Sequence, residues 1–376
     1  MVRWLPVSVL CILVVLSPAI ARADMPCPDA HVFYYGWYGN PETDGQWRHW
    51  DHPTLPRQGA GTPHTPPEDI GANYYPGDGL CSSLNRDDVT RQMKQIKDAG
   101  IGVLAASWWG KDDISDQSLA LLFEIAPEYS IQICFHIEPF PGRNAETTRA
   151  ALVYLLDCYG DHPALYRCSQ SGNRPLIYLY DSYLTPAEDW AGLFQSGDKQ
   201  SIRGTKYDVA AIALWVKKNE QGFMLRGGFD GFYTYFATDR FTYGSTPSNW
   251  PQLAAWAKEK GLIFIPSVGP GYIDTRIRPW NNANTRARED GAYYDRMFES
   301  ALKSGAPLVS ITSFNEWHEG TQIEPAVPKT IEGYQYEDYG VRSPIYYLER
   351  TLYWIQRWKE KENNTCAWLF CRPSLS

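Results

Sequence analysis

The stretch IGVLAASWWGKDDISDQSLALLFEIAPEYSIQICFHIEPF, residues 101–140, decides the fold. Its two ends, 101–109 and 131–140, are near-continuous apolar runs, the composition of strands covered on both faces. Between them, 115–129 carries its apolar residues at helical spacing. Strand, helix and strand in that order form a βαβ unit, and the pattern continues in both directions. HVFYYGWYG at 31–39 precedes it. PLIYLYDSY at 175–183, YDVAAIALWV at 207–216, FDGFYTYF at 229–236, GLIFIPSVG at 261–269 and PLVSITSF at 307–314 follow. Helical patterns fall at 86–99, 147–160, 185–194, 251–260, 288–304 and 344–362. Eight strands alternating with helices predict an α/β fold, a (β/α)8 TIM barrel in a single domain. The rival, a doubly wound open sheet, lacks a GxGxxG after its first strand. The long connections, 40–84, 270–287 and 315–343, all follow strands, so they belong to the C-terminal face, where barrel active sites form.

The 376 residues are 44% hydrophobic and 21% charged, enough apolar material for one large core. A net charge of −8 excludes nucleic acid as the partner, because phosphate binding needs a surplus of Lys and Arg. The 15 Trp and 25 Tyr suit sugar rings, although most belong to the core. Residues 1–23 read as a signal peptide or signal anchor: Arg3 leads, Leu5 to Ile20 carries no charge, and Ala21-Arg22-Ala23 fits a cleavage site. The globular part is then 24–376, in the secretory pathway or outside the cell. In that compartment three disulfides are expected, with Cys134 a buried thiol; Cys27 with Cys81, Cys158 with Cys168 and Cys366 with Cys371 are candidate pairs, the connectivity being left open by the sequence. Asn363-Asn364-Thr365 is a glycosylation sequon.

The chemistry concentrates in FNEWHEGTQIEPA at 314–326. Glu316 and Glu319 stand three residues apart where the eighth strand opens into its loop. Two carboxyls in different surroundings acquire different proton affinities, as acid/base catalysis needs. A solvated acidic turn is the plainer reading, made less apt by the flanking Phe314 and Trp317. On the third strand, alternation turns Gln132, Cys134, His136 and Glu138 to the barrel axis, with His136 and Glu138 at the mouth. Asp181, Asp230, Tyr233 and Tyr235 are further candidates, or loop caps and core. Trp108 and Trp109 on strand two, with Tyr34, Tyr35, Trp37 and Tyr38 on strand one, read as a sugar platform. His136, Glu138, His318 and Glu319 would be the ligands of a metal site, were there one. With no HExxH or Asp-rich loop, neither metal nor cofactor is expected. Arg276, Arg278 and Arg286 would suit an anion, or hydroxyls equally well.

YYGWYGNPETDGQWRHWDHP, DIGANYYP, IGVLAASWW, FHIEPF, YLYDSY, GFDGFYTYFAT, LIFIPSVGPGYIDTRIRPWN and ITSFNEWHEGTQIEPA stand in this order between about 31 and 347. Together they closely resemble the endo-α-1,2-mannosidases of glycoside hydrolase family 99. The resemblance implies a (β/α)8 fold. It implies cleavage inside a glucosylated or mannosylated high-mannose N-glycan, releasing Glc-α-1,3-Man or a related oligosaccharide with net retention through a 1,2-anhydro sugar. The catalytic pair maps onto Glu316 and Glu319. The sugar pocket maps onto Trp108, Trp109, His136, Glu138, Tyr235, Arg278 and Asn315. Animal members tend to read SWY where this chain has Ser107-Trp108-Trp109, and Trp109 resembles the bacterial ones. The alternatives are another class of barrel glycosidase, or a carbohydrate-binding barrel with little turnover. The first usually carries its Asn-Glu on strand four, the second is at odds with both glutamates being present.

Overall fold

The computed structural model describes residues 25–370, the backbone alone from 362 onward. Eight parallel strands form its centre: β1 (Cys27–Tyr34), β2 (Ile101–Trp108), β3 (Gln132–Ile137), β4 (Arg174–Leu179), β5 (Ala210–Leu214), β6 (Gly231–Tyr233), β7 in two halves (Ile263–Ile265 and Ser267–Val268) and β8 (Val309–Ile311). Each pairs with the next. The first half of β7 pairs with β6 and the second with β8, and β8 returns to β1 through Ala30↔Val309 and Val32↔Ile311. Pro266 stands at the changeover. The ring is therefore the barrel that the strand count predicts, with β6 and β8 shorter than their apolar runs.

Helices α1 (Arg86–Asp98), α2 (Ile114–Ile125), α3 (Ala145–Tyr159), α4 (Ala187–Phe194), α5 (Gln221–Gly227), α6 (Trp250–Lys260), α7 (Ala292–Ser304) and α8 (Tyr346–Phe370) surround it. Three start on side-chain caps: Asn85 accepts from the amides of Asp87 and Asp88, Asp113 from Ser115, and Asn144 forms a capping box with Thr147. The sequence pattern passed over α5, a short helix ending on Gly228 at φ 72°. Among the described residues no helix is long and apolar enough to cross a membrane.

The barrel interior is aromatic and polar together. Phe33 lies 4.6 Å from the His136 ring, 5.2 Å from Tyr178 and 5.7 Å from Tyr233. His31 Nδ1 and the Tyr178 hydroxyl are 2.7 Å apart, and burial drives the His31 pKa down to about 3. On β3 the expected alternation holds: His136 meets the interior, while Phe135 packs outward on Phe123 of α2 and Tyr159 of α3.

The first and last long loops are zipped together over the mouth by an antiparallel pair, Tyr75↔Val327 and Pro76↔Ala326. That pairing turns two remote segments into one wall.

Two candidate disulfides do not form. Cys81 is a buried thiol whose sulfur accepts from Gln92 Nε2 at 3.6 Å, so it is not joined to Cys27. Cys158 lies exposed on the last turn of α3, whereas Cys168 is buried, and both carry free thiols, as does the buried Cys134. The helix and the strand after it present the first two cysteines to different environments. The Cys366–Cys371 pairing, the side chains of the 363–365 sequon and the 1–23 segment lie outside the described residues.

Candidate active site

The β8 backbone delivers the central groups. After β8 the chain forms a narrow lasso, closed at its neck where Ser313 N donates to Thr321 O (2.9 Å), Ile323 N to Ser313 O (3.0 Å), and the Ser313 and Thr321 hydroxyls meet at 2.8 Å. Within it the side chains divide. Trp317 turns away into the core, its indole N–H donating to Glu324 Oε2 at 2.9 Å. Glu316 and Glu319 turn into a cleft of about 500 Å³. Asn315 does not reach that cleft. Its amide grips the Tyr35 backbone from both sides, accepting from N at 2.8 Å and donating to O at 3.0 Å, and so ties the β8 end to the β1 end.

The remaining expected residues separate into lining and supporting groups. Trp109, Glu138, Tyr235 and Arg278 line the cleft. Tyr235 does so from φ 47°, with its hydroxyl bonded to that of Tyr35, which also lines the cleft. His136 sits one layer below, fully buried, with Nε2 2.8 Å from the Tyr233 hydroxyl and Nδ1 3.1 Å from Glu138 Oε1. Ser107 also donates to Glu138 Oε1, at 2.8 Å. Ser107 thus holds Glu138, which faces the cavity, and His136 Nδ1 stands beside it without a hydrogen bond.

Trp108 is not part of the platform. It is buried and directed at α2, its indole N–H donating to Asp116 Oδ1 at 2.7 Å. Trp108→Ala is expected to cost about 3–5 kcal/mol, as aromatic truncations in cores do, and to leave Asp116 short of a donor. Thermal melting of the variant reads that loss directly. Tyr34 likewise points outward and donates to Gln92 Oε1. Asp230 belongs to a structural ion-pair group with Arg174 (2.6 Å) and Arg203 (2.8 Å). Arg276 pairs with Asp69, and Arg286 donates to Asp239 O, leaving Arg278 as the arginine that lines the cleft.

Residues from the loop after β1 complete the wall. Trp37 stacks on His49 at 4.3 Å and lies 6.1 Å from the Trp109 ring. His52 and His318 are 4.7 Å apart. Burial, the largest cause, holds all three imidazoles below their usual pKa, His49 at about 4. This wall is therefore neutral at ordinary pH. His318 Nδ1 contacts Gly71 O at 2.8 Å and His136 Nε2 is taken by Tyr233. The four residues weighed as a metal set do not converge, and among the described residues no His, Cys, Asp and Glu group is placed to hold a metal ion. His49, His52, Tyr180 and Asp113 were not singled out from the sequence. The signal for the first two was the density of His and Trp in QWRHWDHP, within a loop too long to be a plain connection.

The carboxyl pair has raised proton affinity. Burial pushes Glu316 well above the usual range, the neighbouring Glu319 adds to it, and Arg278 opposes it. Glu319 is also raised by burial, with Arg278 again opposing and Asp274 adding. The asymmetry is geometric. Arg278 Nη1 lies 3.4 Å from Glu319 Oε1 and 3.2 Å from Asp274 Oδ2. The Glu316 carboxylate accepts from the His318 amide at 3.1 Å. Two carboxyls with different partners in one cleft can take a proton from one substrate oxygen while giving one to another.

The chain is similar to known glycosidases. The model of glycosyl hydrolase family 99 matches residues 28–360. A Xenopus laevis protein described as glycoprotein endo-alpha-1,2-mannosidase is 45% identical over 354 residues, 90% of this chain and 79% of that one. The Homo sapiens glycoprotein endo-alpha-1,2-mannosidase-like protein is 44% identical over 92% of this chain and 79% of its own. The solved GH99 endo-alpha-mannosidase from Bacteroides thetaiotaomicron superposes with a TM-score of 0.87 at 46% identity, covering 90% of this chain and 100% of that one.

Proposed function

The chain belongs to glycosyl hydrolase family 99, and on that footing we propose that it is a retaining, endo-acting α-1,2-mannosidase of the secretory pathway. Its substrate is a glucosylated or mannosylated high-mannose N-glycan, cut internally to release Glc-α-1,3-Man or a related oligosaccharide. The observation that carries this reading is the pair of buried Glu316 and partly buried Glu319 in the loop after β8, facing a cleft whose other wall is aromatic and neutral.

Glu316 takes the proton of the 2-hydroxyl of the mannose at the cleaved bond. O2 then attacks C1 from the face opposite the leaving oxygen. The C1–O bond breaks as Glu319 protonates the departing sugar, and a 1,2-anhydro mannose remains. Glu319, now a carboxylate, deprotonates a water that opens the three-membered ring at C1, and O2 recovers its proton from Glu316. Two inversions give net retention. Before substrate binds, Arg278 favours the ionised form of Glu319, so the resting proton sits on Glu316. The 2-hydroxyl donating to Glu316 stabilises its ionised form, beyond the single bond from His318, and shifts the proton to Glu319. Arg278 and Tyr235 bind hydroxyls of the same sugar, and Trp109 with Trp37 stacks on its neighbour.

The deciding assay incubates the protein with a glucosylated high-mannose glycan and reads the products by mass. Release of the Glc-Man disaccharide unit supports the reading. Loss of single hexoses from the outer end, or no cleavage, overturns it. Trp109→Ala should raise KM several-fold while leaving the melting temperature near the parent value, the opposite of the Trp108 variant; an unchanged KM removes Trp109 from the platform.

A further inference from the structure

Arg288 lies at the end of the β7–β8 loop, just before α7, and it is a buried cation with an unusual set of partners. Only 7% of the residue is exposed. Its guanidinium carbon is 4.7 Å from the Tyr74 ring centroid, 4.8 Å from Tyr339 and 4.5 Å from Tyr347. Among the described residues no carboxylate lies within ion-pair distance of it. A buried charge without a counter-ion is costly, and ring faces with carbonyl oxygens are what offset the cost here. The carbonyls are informative. Nη2 donates to Gly320 O at 2.9 Å and to Gln322 O at 2.7 Å, while Nε donates to the Tyr74 hydroxyl at 3.1 Å.

Gly320 follows Glu319 directly. It sits at φ 62°, and a Cβ there would come within 2.6 Å of Ile273 O, so the turn is pressed against the β7–β8 loop. Ile273 N donates to the Glu319 carbonyl at 2.9 Å. The same loop carries Arg278, whose guanidinium meets the Glu319 carboxyl. One loop therefore holds Glu319 at its own carbonyl, at the next one, and at the tip of its side chain.

We propose that Arg288 is a positioning residue for the reaction: by gripping the Gly320 and Gln322 carbonyls from within the tyrosine cage, it fixes the backbone on which Glu319 delivers its proton to the leaving oxygen. The inference rests on the proposed acid role of Glu319. Arg288 touches no substrate and acts through the lasso. A misplacement of about 1 Å at a reacting group is worth roughly 100-fold in rate, and that is the scale of defect expected in kcat, with KM little changed.

The test uses Arg288→Met, Arg288→Lys and Tyr74→Phe beside Glu319→Gln. Each is assayed on two substrates with the same Glc-Man unit, one with a sugar alcohol as leaving group and one with dinitrophenolate. The latter departs without a proton, and kcat/KM reports only the steps up to bond cleavage. Arg288→Met should lose roughly 100-fold on the sugar leaving group and much less on dinitrophenolate. Arg288→Lys, which keeps the charge in the cage, should recover part of the loss. If Arg288→Met does not fold, Arg288→Lys and Tyr74→Phe carry the same comparison with smaller defects. Equal losses on both substrates, or parent kcat with only a lowered melting temperature, make Arg288 merely structural and overturn the proposal. If Glu319→Gln itself shows no dependence on the leaving group, the acid role of Glu319 fails instead, and the two failures are distinguishable.

Discussion

Glu316→Gln and Glu319→Gln are each expected to lower kcat/KM on the glycan by at least ~100-fold, the scale of a lost general acid or base, without loss of fold. Glutamine keeps the shape and an acceptor oxygen, so the amide of His318 retains its partner at position 316. What disappears is the ability to exchange a proton. Stability should move the other way. Burial raises the Glu316 pKa in the folded protein above its value in the unfolded chain, so the folded state binds the proton more tightly. Stability from that group is complete below about pH 4, the ordinary range of a free carboxyl. It is lost as pH rises through the folded value. Glu316→Gln removes that loss. Its melting temperature should equal or exceed the parent's at neutral pH, and the two should converge as the pH falls towards 4. An active Glu316→Gln removes the residue from the mechanism; a variant that melts lower at neutral pH contradicts the electrostatic account of its burial.

The acid limb of kcat/KM carries the same sign. The base must be ionised to accept a proton, and a raised pKa moves the loss of activity to higher pH than an exposed glutamate would give. Because the pair is coupled, the limbs belong to the two carboxyls together.

How far the sequence could be read depended on the range of the contacts involved. Alternation with period two is a local property, and on β3 it turned His136 and Glu138 inward as expected. The same count on β2, with Ser107 inward on Glu138, sends Trp108 outward to Asp116. Treating Trp108 and Trp109 as one platform ignored that parity. That Glu316 and Glu319 face the cleft was legible because the end of a barrel strand opens at the C-terminal face. Asn315 looked like a sugar ligand, yet its partner is the backbone of Tyr35, remote in sequence. Nothing local announces such a contact. The histidine wall was hidden for the same reason. His49 reaches the cleft because the chain doubles back at the Gly39↔Arg48 bridge, and His52 because the loop is then carried across the mouth. The Cys27–Cys81 and Cys158–Cys168 pairings failed at the same boundary, since sequence proximity to a loop edge says nothing of which way a thiol faces. Glu324 is a last case. It lies in the quoted 314–326 stretch, and burial raises its pKa to about 7, yet its partners are Gln92 and Trp317, behind the lasso rather than in the cleft.

A substrate without the 2-hydroxyl tests how the bond breaks, and the expected effect is as large as any substitution in the protein. In an α-mannoside O2 and the leaving oxygen are both axial and anti to each other, so O2 is aligned for attack on C1. A carboxylate that attacked C1 itself would have to stand about 5 Å from its partner and form a glycosyl ester. In the proposed route Glu316 has another task, that of a base. It is buried, its proton affinity is raised, and it accepts from the His318 amide, properties that suit a base working on a hydroxyl. With the 2-deoxy mannoside at the cleaved position, O2 is absent and no anhydro sugar can form. Binding through Arg278, Tyr235 and the aromatic wall should persist, whereas turnover should fall by at least ~100-fold, the loss expected when the base has no proton to take. The intrinsic reactivity of the substrate sharpens the result, because a 2-deoxy sugar stabilises an oxocarbenium ion better and reacts faster by any route that does not use O2. The 2-O-methyl mannoside, with the oxygen present but no proton to give up, should fail equally. Rapid hydrolysis of the 2-deoxy compound, or an adduct on Glu316 found by mass spectrometry, would replace the anhydro-sugar route with direct nucleophilic attack.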